Sequence, residues 1–517
     1  MRLTSQIKAA RSWPEARTAL TAACNQDLTD TTFITAALNT LPKVLRRSRL
    51  SASEQSAVQE LVRRLVQQQL EPRLAELDAQ GLLAITVGLA KLEYRDQGEG
   101  LFQQLALCSM PALRAGCLGP SALSSLAWAL AASGTRPTGA WLSLFWAQLE
   151  QQAEQLQGQD CANILWSVCR LELMPPWVGS SSASSLIPHT LRCMAQAESG
   201  QDPATVLVCM AIWYRTWAYR PPEPLLADML THMAPRLPAY RPEDLVSVVH
   251  SLVVINHQPG RAWMTAFYAA LRERLTCEPT LSYADFQRLL WALSRIDYVP
   301  SQGWLKQFVE VSRGKLHQLR LRALSELAWA LACWGYTPSP EWLAEYFRVT
   351  QPKLQEYKPH HLAISVTALK KMGCKVPACW LDGALHAFCQ QLPDAKAHDL
   401  VSFLDGIVEL ADNAAWMSAP ETGRALRSLA DFAASKFDIC DCLMHAKLLV
   451  ALTTAQCCPG PAWLRAQQAS LARSLGAAQP GAQPLDNATA SELCAAYAAW
   501  DVPLSPSLAQ ELGLKPQ

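Results

Sequence analysis

The sequence predicts an all-α fold, a right-handed-type α-solenoid of stacked helical hairpins in about ten or eleven degenerate repeats of roughly 38 residues. Three observations carry this reading. A proline–tryptophan frame recurs in "TRPTGAW" (135–141), "HQPGRAW" (257–263), "YVPSQGW" (298–304), "YTPSPEW" (336–342) and "CCPGPAW" (457–463). The frame prolines keep a period: 137 to 175, 221 to 259 and 300 to 338 are each 38 residues, and 338 to 377 is 39. Upstream of the prolines lies an Ala/Leu-rich block, "LAWALAASG" (126–134), "ILWSVCRLE" (164–172), "LLWALSRID" (289–297) and "LAWALACWG" (327–335). These blocks have no interior proline and no two-residue alternation, so they read as helices.

Along the chain, residues 1–24 form an N-terminal segment and 25–517 the array. Arg2, Lys8 and Arg11 precede the first acid, Glu15, so the start reads either as a short organelle-targeting helix or as an ordinary basic N-terminus. "TFITAALNTLPKVL" (32–45) is the first expected A helix, and "LLAITVGLAKLEYRD" (82–96) an early copy without the proline. The best copies are 121–157, 159–177, 284–313 and 322–350. "DLVSFLDGIVEL" (399–410) matches "DLVSVVHSLVVI" (244–255), and "SELCAAYAAWDVP" (491–503) is late and degenerate. Insertions are expected at 178–188, 196–203 and 476–487, all rich in loop-forming residues. The repeat register is not fixed between 190 and 221 or after 440.

Each frame turns the chain into a second helix, B. In "TPSPEWLAEYF" (337–347), Ser339 caps the free amides, Pro340 suits the first helical position, and Glu341 favours the first turn. Trp342 and Tyr346 then stand one turn apart, as do Trp141 and Phe145, Trp263 and Phe267, and Trp304 and Phe308. That spacing makes Trp141, Trp263, Trp304, Trp342, Trp380 and Trp463 structural anchors of helix B. A single hairpin cannot bury its apolar surface; stacked neighbours can.

Composition narrows the function classes. Half of the 517 residues are hydrophobic and 17 % are charged, which describes a folded chain. A formal charge of +1 argues against a generally basic nucleic-acid binder, yet a local basic groove acts within a Debye length of about 8 Å. Apolar runs such as "VLVCMAIWY" (206–214) fall short of the roughly 20 residues of a membrane span, so no membrane insertion is expected. Cysteines in apolar helical stretches, Cys169, Cys209, Cys333 and Cys494 among them, point to free thiols in a reducing compartment.

Helix A can be numbered from Trp128 as slot zero. Slots −5, −2 and +2 (Leu123, Leu126, Leu130) share the packed face; slots −3, zero and +4 lie opposite. Slot −3 reads Ser125, Asn163, Ser247, Arg288, Glu326, Ser402, Lys447 and Glu492, with Ala84 and Ile364 as apolar exceptions. Slot +4 is basic at Lys91, Arg170, Arg295 and Lys371. Slot zero is Trp128, Trp166, Trp291 and Trp329 in some copies and His250, Thr367 or Asp405 in others, and packing between A helices accounts for these tryptophans better than base stacking. A changeable polar group per repeat, with a cation one turn on, suits single-stranded RNA: slot −3 for base edges, slot +4 for phosphates. Plain solvated surface gives slot −3 the same variability.

"LAWALACWGYTPSPEW" (327–342), "LLWALSRIDYVPSQGW" (289–304) and "SLAWALAASGTRPTGAW" (125–141) resemble the octotricopeptide repeat, a helical hairpin of about 38 residues with a PPPEW-like motif, common in green algae. The resemblance runs from about residue 30 onward; "MPPW" (174–177) and "RPPEPLL" (220–226) depart from it. It implies sequence-specific binding of organellar RNA, in the chloroplast or alternatively the mitochondrion, and a role in transcript stability, processing, splicing or translation. Other proteins of a ribonucleoprotein complex are further implied partners. Some members carry a C-terminal RAP domain, which is not expected here.

No catalytic motif stands out, so no enzyme activity and no cofactor are expected. Cys440, Cys442 and His445, with Cys457 and Cys458, are the most metal-like group, but C-x-C-x-x-H is not a usual zinc spacing and no metal is expected. The rival reading is a protein-binding scaffold; cations gathered in one groove favour RNA and scattered cations favour the scaffold.

Overall fold

The computed structural model describes residues 2–25, 31–48, 50–95, 100–178, 184–276, 281–411, 414–417, 419–476 and 485–512. Residues 179–183 and 477–484 of two expected insertions lie outside these. No strand occurs among the described residues.

Packing divides the chain into two units, Met1–Ala270 and Leu271–Gln517. The helices up to the boundary are α1 (Arg2–Ala9), α2 (Trp13–Cys24), α3 (Thr31–Arg47), α4 (Ala52–Leu65), α5 (Ala79–Lys91), α6 (Leu101–Arg114) and α7 (Pro120–Ala132). They continue with α8 (Gly139–Gln151), α9 (Gly158–Arg170), α10 (Leu186–Gln196), α11 (Gln201–Trp217), α12 (Glu223–Met233), α13 (Pro242–Val254) and α14 (Arg261–Thr276). Within this unit the odd-numbered helices stack on one another from α1 to α13, and the even-numbered ones pair as α2 with α4, α6 with α8 and α10 with α12. Helices A thus form one row and helices B another. The first residues join the array: Ile7, Trp13 and Leu20 are buried, and α1 packs on α3.

The second unit contains α15 (Tyr283–Leu293), α16 (Gln302–Arg313), α17 (Leu321–Cys333), α18 (Pro340–Thr350), α19 (Pro359–Lys371), α20 (Ala378–Gln390) and α21 (Ala397–Leu410). After the short α22 (Ala414–Met417) come α23 (Pro420–Ala434), α24 (Cys442–Thr454), α25 (Pro461–Gly476), α26 (Asn487–Ala498) and α27 (Pro506–Glu511). Here α15, α17, α19, α21, α24 and α26 stack as the A row; α16 packs on α18, and α20, α23, α25 and α27 follow as the B row.

The frame acts as a stop and a start. Helix A ends on a left-handed residue, Gly335 (φ 62°) or Gly373 (φ 61°), but also Glu172 (φ 52°) or Asn256 (φ 62°). At Gly335 the amide of Tyr336 reaches back to the Leu331 carbonyl at 3.0 Å, which closes the helix end. Ser339, Ser301 and Thr138 then each accept a hydrogen bond from the amide of the frame tryptophan three residues on, at 3.3–3.4 Å. Trp342 stacks on Tyr346 at 5.4 Å, Trp304 on Phe308 at 4.9 Å, Trp263 on Phe267 at 5.2 Å and Trp141 on Phe145 at 5.0 Å. Trp380 and Trp463 are buried as well. Several anchors also bind the preceding helix B: indole Nε1 donates to Ser109 from Trp141 (2.8 Å), to Ser312 from Trp342 (3.0 Å) and to Thr350 from Trp380 (2.9 Å).

Candidate nucleic-acid interface

The packing of the A row decides which residues meet solvent. Slots −5, −2 and +2 are buried along α7, α15, α17, α19 and α21, because each A helix is covered by its neighbours and by helix B. Slot −3 is part-exposed at Ser125, Asn163, Ser247, Arg288 and Ser402, and exposed at Lys447 and Glu492. Slot zero is part-exposed at all four tryptophans, and slot +4 is exposed at Lys91, Arg170, Arg295 and Lys371. One stripe per helix therefore faces outward. α11 shows the same sequence of exposure at Thr205, Val208 and Ile212, which sets the register where the proline frame fails.

In the first unit the stripe opens into a cleft of about 1150 Å³. Lys91 and Arg170 both line it, together with Trp128 and Trp166, and Arg46 and Arg95 add two cations. These two arginines come from the ends of α3 and of the α5 turn, outside the slot pattern, so the repeat gave no signal for them. A second cleft, about 500 Å³, joins Trp166 and Arg170 to Thr205, Val208, Ile212 and Ser247. Asn163 accepts at its Oδ1 from Gln159, 3.1 Å away, leaving its amide nitrogen as the donor toward solvent.

In the second unit cations and rings interlock. The Arg295 guanidinium lies 4.5 Å from the centre of the Trp291 ring, and Lys371 Nζ 4.6 Å from that of Trp329 on the preceding A helix. Burial pushes up the thiol of Cys333, the slot +4 residue between them, against the pull of Lys371 and Arg295. Burial pulls the Arg295 guanidinium below its ordinary range, with Glu326 opposing. Arg288 is 3.4 Å from Asp285 in its own first turn.

Glu326 differs from its slot −3 counterparts. It is 7 % exposed and bonded to Arg322 at 2.9 Å; burial pushes its carboxyl above the usual range despite that arginine. Further along, the row turns acidic: Lys370 bridges Asp405 (3.0 Å) and Glu409 (2.5 Å) of α21, and Thr367 donates to the Ser402 carbonyl at 3.5 Å.

Cys440, Cys442 and His445 do not gather. His445 is fully buried against Phe437, with ring centres 5.4 Å apart, and its burial lowers its pKa to about 4. Among the described residues, a metal-competent group forms elsewhere: Cys161 of α9 with His189 and Cys193 of α10, their ligand atoms all within 4.8 Å. Cys193 is the more acidic thiol, favoured by the hydrogen bond from Cys161 and by His189 and Arg192. Only the i, i+4 pair His189/Cys193 was legible in the sequence, since Cys161 lies on another helix.

This is an all-α protein of stacked helical hairpins, and in each unit the A row carries an outward stripe of polar, aromatic and cationic side chains. Residues 222–401 match the family model of the N-terminal domain of the Tbc2 translation factor. No curated protein matches the chain. Among solved structures it is similar to a chain of a homology model of the full-length AP-3 complex in an intermediate open conformation, at 11 % identity and a TM-score of 0.38. That alignment covers 99 % of this chain and 91 % of the other; so low a score carries no functional argument. No described helix is long and apolar enough to cross a membrane.

Proposed function

We propose that the protein is a sequence-specific single-stranded RNA-binding factor acting in organellar gene expression, with translation as the step favoured by the match at 222–401. The observation that carries this reading is the sharing of one cleft by Lys91, Arg170, Trp128 and Trp166, which come from three successive A helices. Cations on alternate A helices suit the phosphates of one backbone running along the cleft, and the part-exposed rings and slot −3 groups between them suit the bases. The reading assigns no catalytic step to the protein. The chloroplast, with the mitochondrion as alternative, and a place in a ribonucleoprotein complex belong to the same proposal through the octotricopeptide resemblance.

The test is crosslinking and sequencing of RNA retained by the purified protein, followed by titration at several salt concentrations. A single protected footprint with affinity falling steeply in salt is expected. Failure to retain any RNA at low salt overturns the reading. A scaffold role has one observation of its own: slot +4 of α11 is Ile212, 42 % exposed, where a cation stands in other copies. If a protein partner and not RNA is recovered, loss of that partner on Ile212→Lys would support the scaffold.

A further inference from the structure

The repeat built from α9 and α10 breaks the pattern of its neighbours. Its two helices are joined by residues 171–185, where other hairpins use 133–138, 255–260, 334–339 and 372–377. The frame tryptophan does not open helix B here: Trp177 sits in the connection, edge-on to Trp146 of the preceding repeat at 5.2 Å. Helix α10 therefore lacks the indole anchor at its first turn. Slot −5 of α9 is altered too, Cys161 standing where Leu123, Leu245, Leu324, Leu362 and Leu400 fill the core of other copies. That thiol is fully buried and faces His189 and Cys193, one turn apart on α10.

We propose that Cys161, His189 and Cys193 form a zinc site that clasps helix A to helix B in this repeat. Two thiolates and an imidazole select a thiophilic, borderline-soft ion over calcium or magnesium, which take oxygen ligands. Tetrahedral zinc, at about 2.3 Å from sulfur and 2.0–2.1 Å from nitrogen, holds its ligand atoms roughly 3.5–3.8 Å apart. His189 Nε2 and Cys193 Sγ are already 3.2 Å apart, and all three ligand atoms fall within 4.8 Å, so small side-chain rotations suffice. The fourth position falls to water or to the Leu156 carbonyl, which lies 2.8 Å from His189 Nε2 and 3.7 Å from Cys193 Sγ. The protons balance as follows. His189 moves its ring proton from Nε2 to Nδ1 and frees the lone pair, while the two thiols ionise and release two protons to solvent. The clasp spans a hairpin whose connection, residues 171–185, is longer in sequence than 133–138, 255–260, 334–339 or 372–377.

Cobalt(II) serves as the probe. Titrated into reduced full-length protein, it should give thiolate-to-metal charge-transfer absorption and the visible bands of a tetrahedral site, saturating at one ion per chain and bleached by zinc. Zinc should also raise the melting temperature. His189→Ala and Cys193→Ser should each lose the charge-transfer signal and the zinc-dependent shift; both positions are half-buried, so these variants keep the packed thiol of Cys161. Cys440→Ser and Cys442→Ser should keep both signals. Absence of charge transfer in the wild type, its survival in both ligand variants, or a Cys161–Cys193 disulfide formed in the presence of zinc would overturn the proposal. None of these readouts depends on RNA.

Discussion

Lys371, at the end of one A helix, holds its ammonium 4.6 Å above the ring of Trp329 on the A helix before it. A cation and a tryptophan also meet within one helix, at Arg295 and Trp291, where the guanidinium lies 4.5 Å from the ring centre. Each cation is thus kept at the surface by a ring that remains part-exposed, and a bound phosphate would meet a charge already held in place. Lys371→Gln and Arg295→Gln should each weaken RNA binding by a similar factor for all sequences and lower the salt slope by about 1. Filter binding across a salt series reads both numbers; a sequence-selective loss would instead assign these residues to base contact.

Slot −3 gives the complementary expectation. Arg288 is half-buried and only loosely paired with Asp285, so its side chain can turn to a base edge without breaking a strong bond. Arg288→Ala should weaken binding to the preferred sequence by about 1–3 kcal/mol, relax discrimination at one nucleotide, and leave the melting temperature unchanged. Lost thermal stability at unchanged affinity would place Arg288 in packing. Glu326 is the internal control: buried and bonded to Arg322, it should show the reverse pattern on substitution by alanine, losing stability before specificity.

The contrast between these two residues shows how far the sequence could be read. Period, proline frame and anchor spacing are local properties of a hairpin, so the all-α stacked fold, the Ser339 cap and the Trp342–Tyr346 stack were all legible. The outward stripe was legible as well, because it follows from helix periodicity once the register is known. Glu326 and Arg288 occupy one slot yet differ in burial and in partner, Arg322 in one and Asp285 in the other, and the slot pattern carries neither difference. The Cys161–His189–Cys193 group was illegible for another reason: it needs the fold to bring two helices together across an irregular connection.

The indole–hydroxyl bonds between successive B helices make a stability prediction. Trp342 is fully buried and donates to Ser312 at 3.0 Å, in a position repeated by Trp380 and Thr350. Trp342→Ala should cost about 3–5 kcal/mol through the cavity it leaves. Ser312→Ala should cost about 1–3 kcal/mol, because the indole N–H loses its buried acceptor. Hydrogen exchange is the appropriate measurement, since a repeat array can open locally. Lost protection should centre on α16 and α18; uniform loss across the second unit would mean that it unfolds as one block.

His445 supplies the last expectation, and its sign follows from burial. It occupies slot −5 of α24, where Leu123, Leu245, Leu324, Leu362 and Leu400 stand in other copies, and is 0 % exposed. Desolvation drives its pKa from 6.5 to about 4; the Phe437 backbone and Asp441 oppose the drop, and Arg473 adds to it. The folded state therefore keeps the imidazole neutral at a pH where the unfolded chain has already taken up a proton. Below pH 6.5 the unfolded state binds more protons, so stability should fall as pH drops from 6.5 to about 4, by up to about 3 kcal/mol from this group. Above 6.5 the effect vanishes. His445→Leu installs the side chain that several other copies use at this slot and should flatten the melting temperature of the second unit across that window. An unchanged pH profile in the variant would trace the acid sensitivity to other groups; a variant that melts earlier at pH 7 would show that the imidazole makes a contact leucine cannot replace.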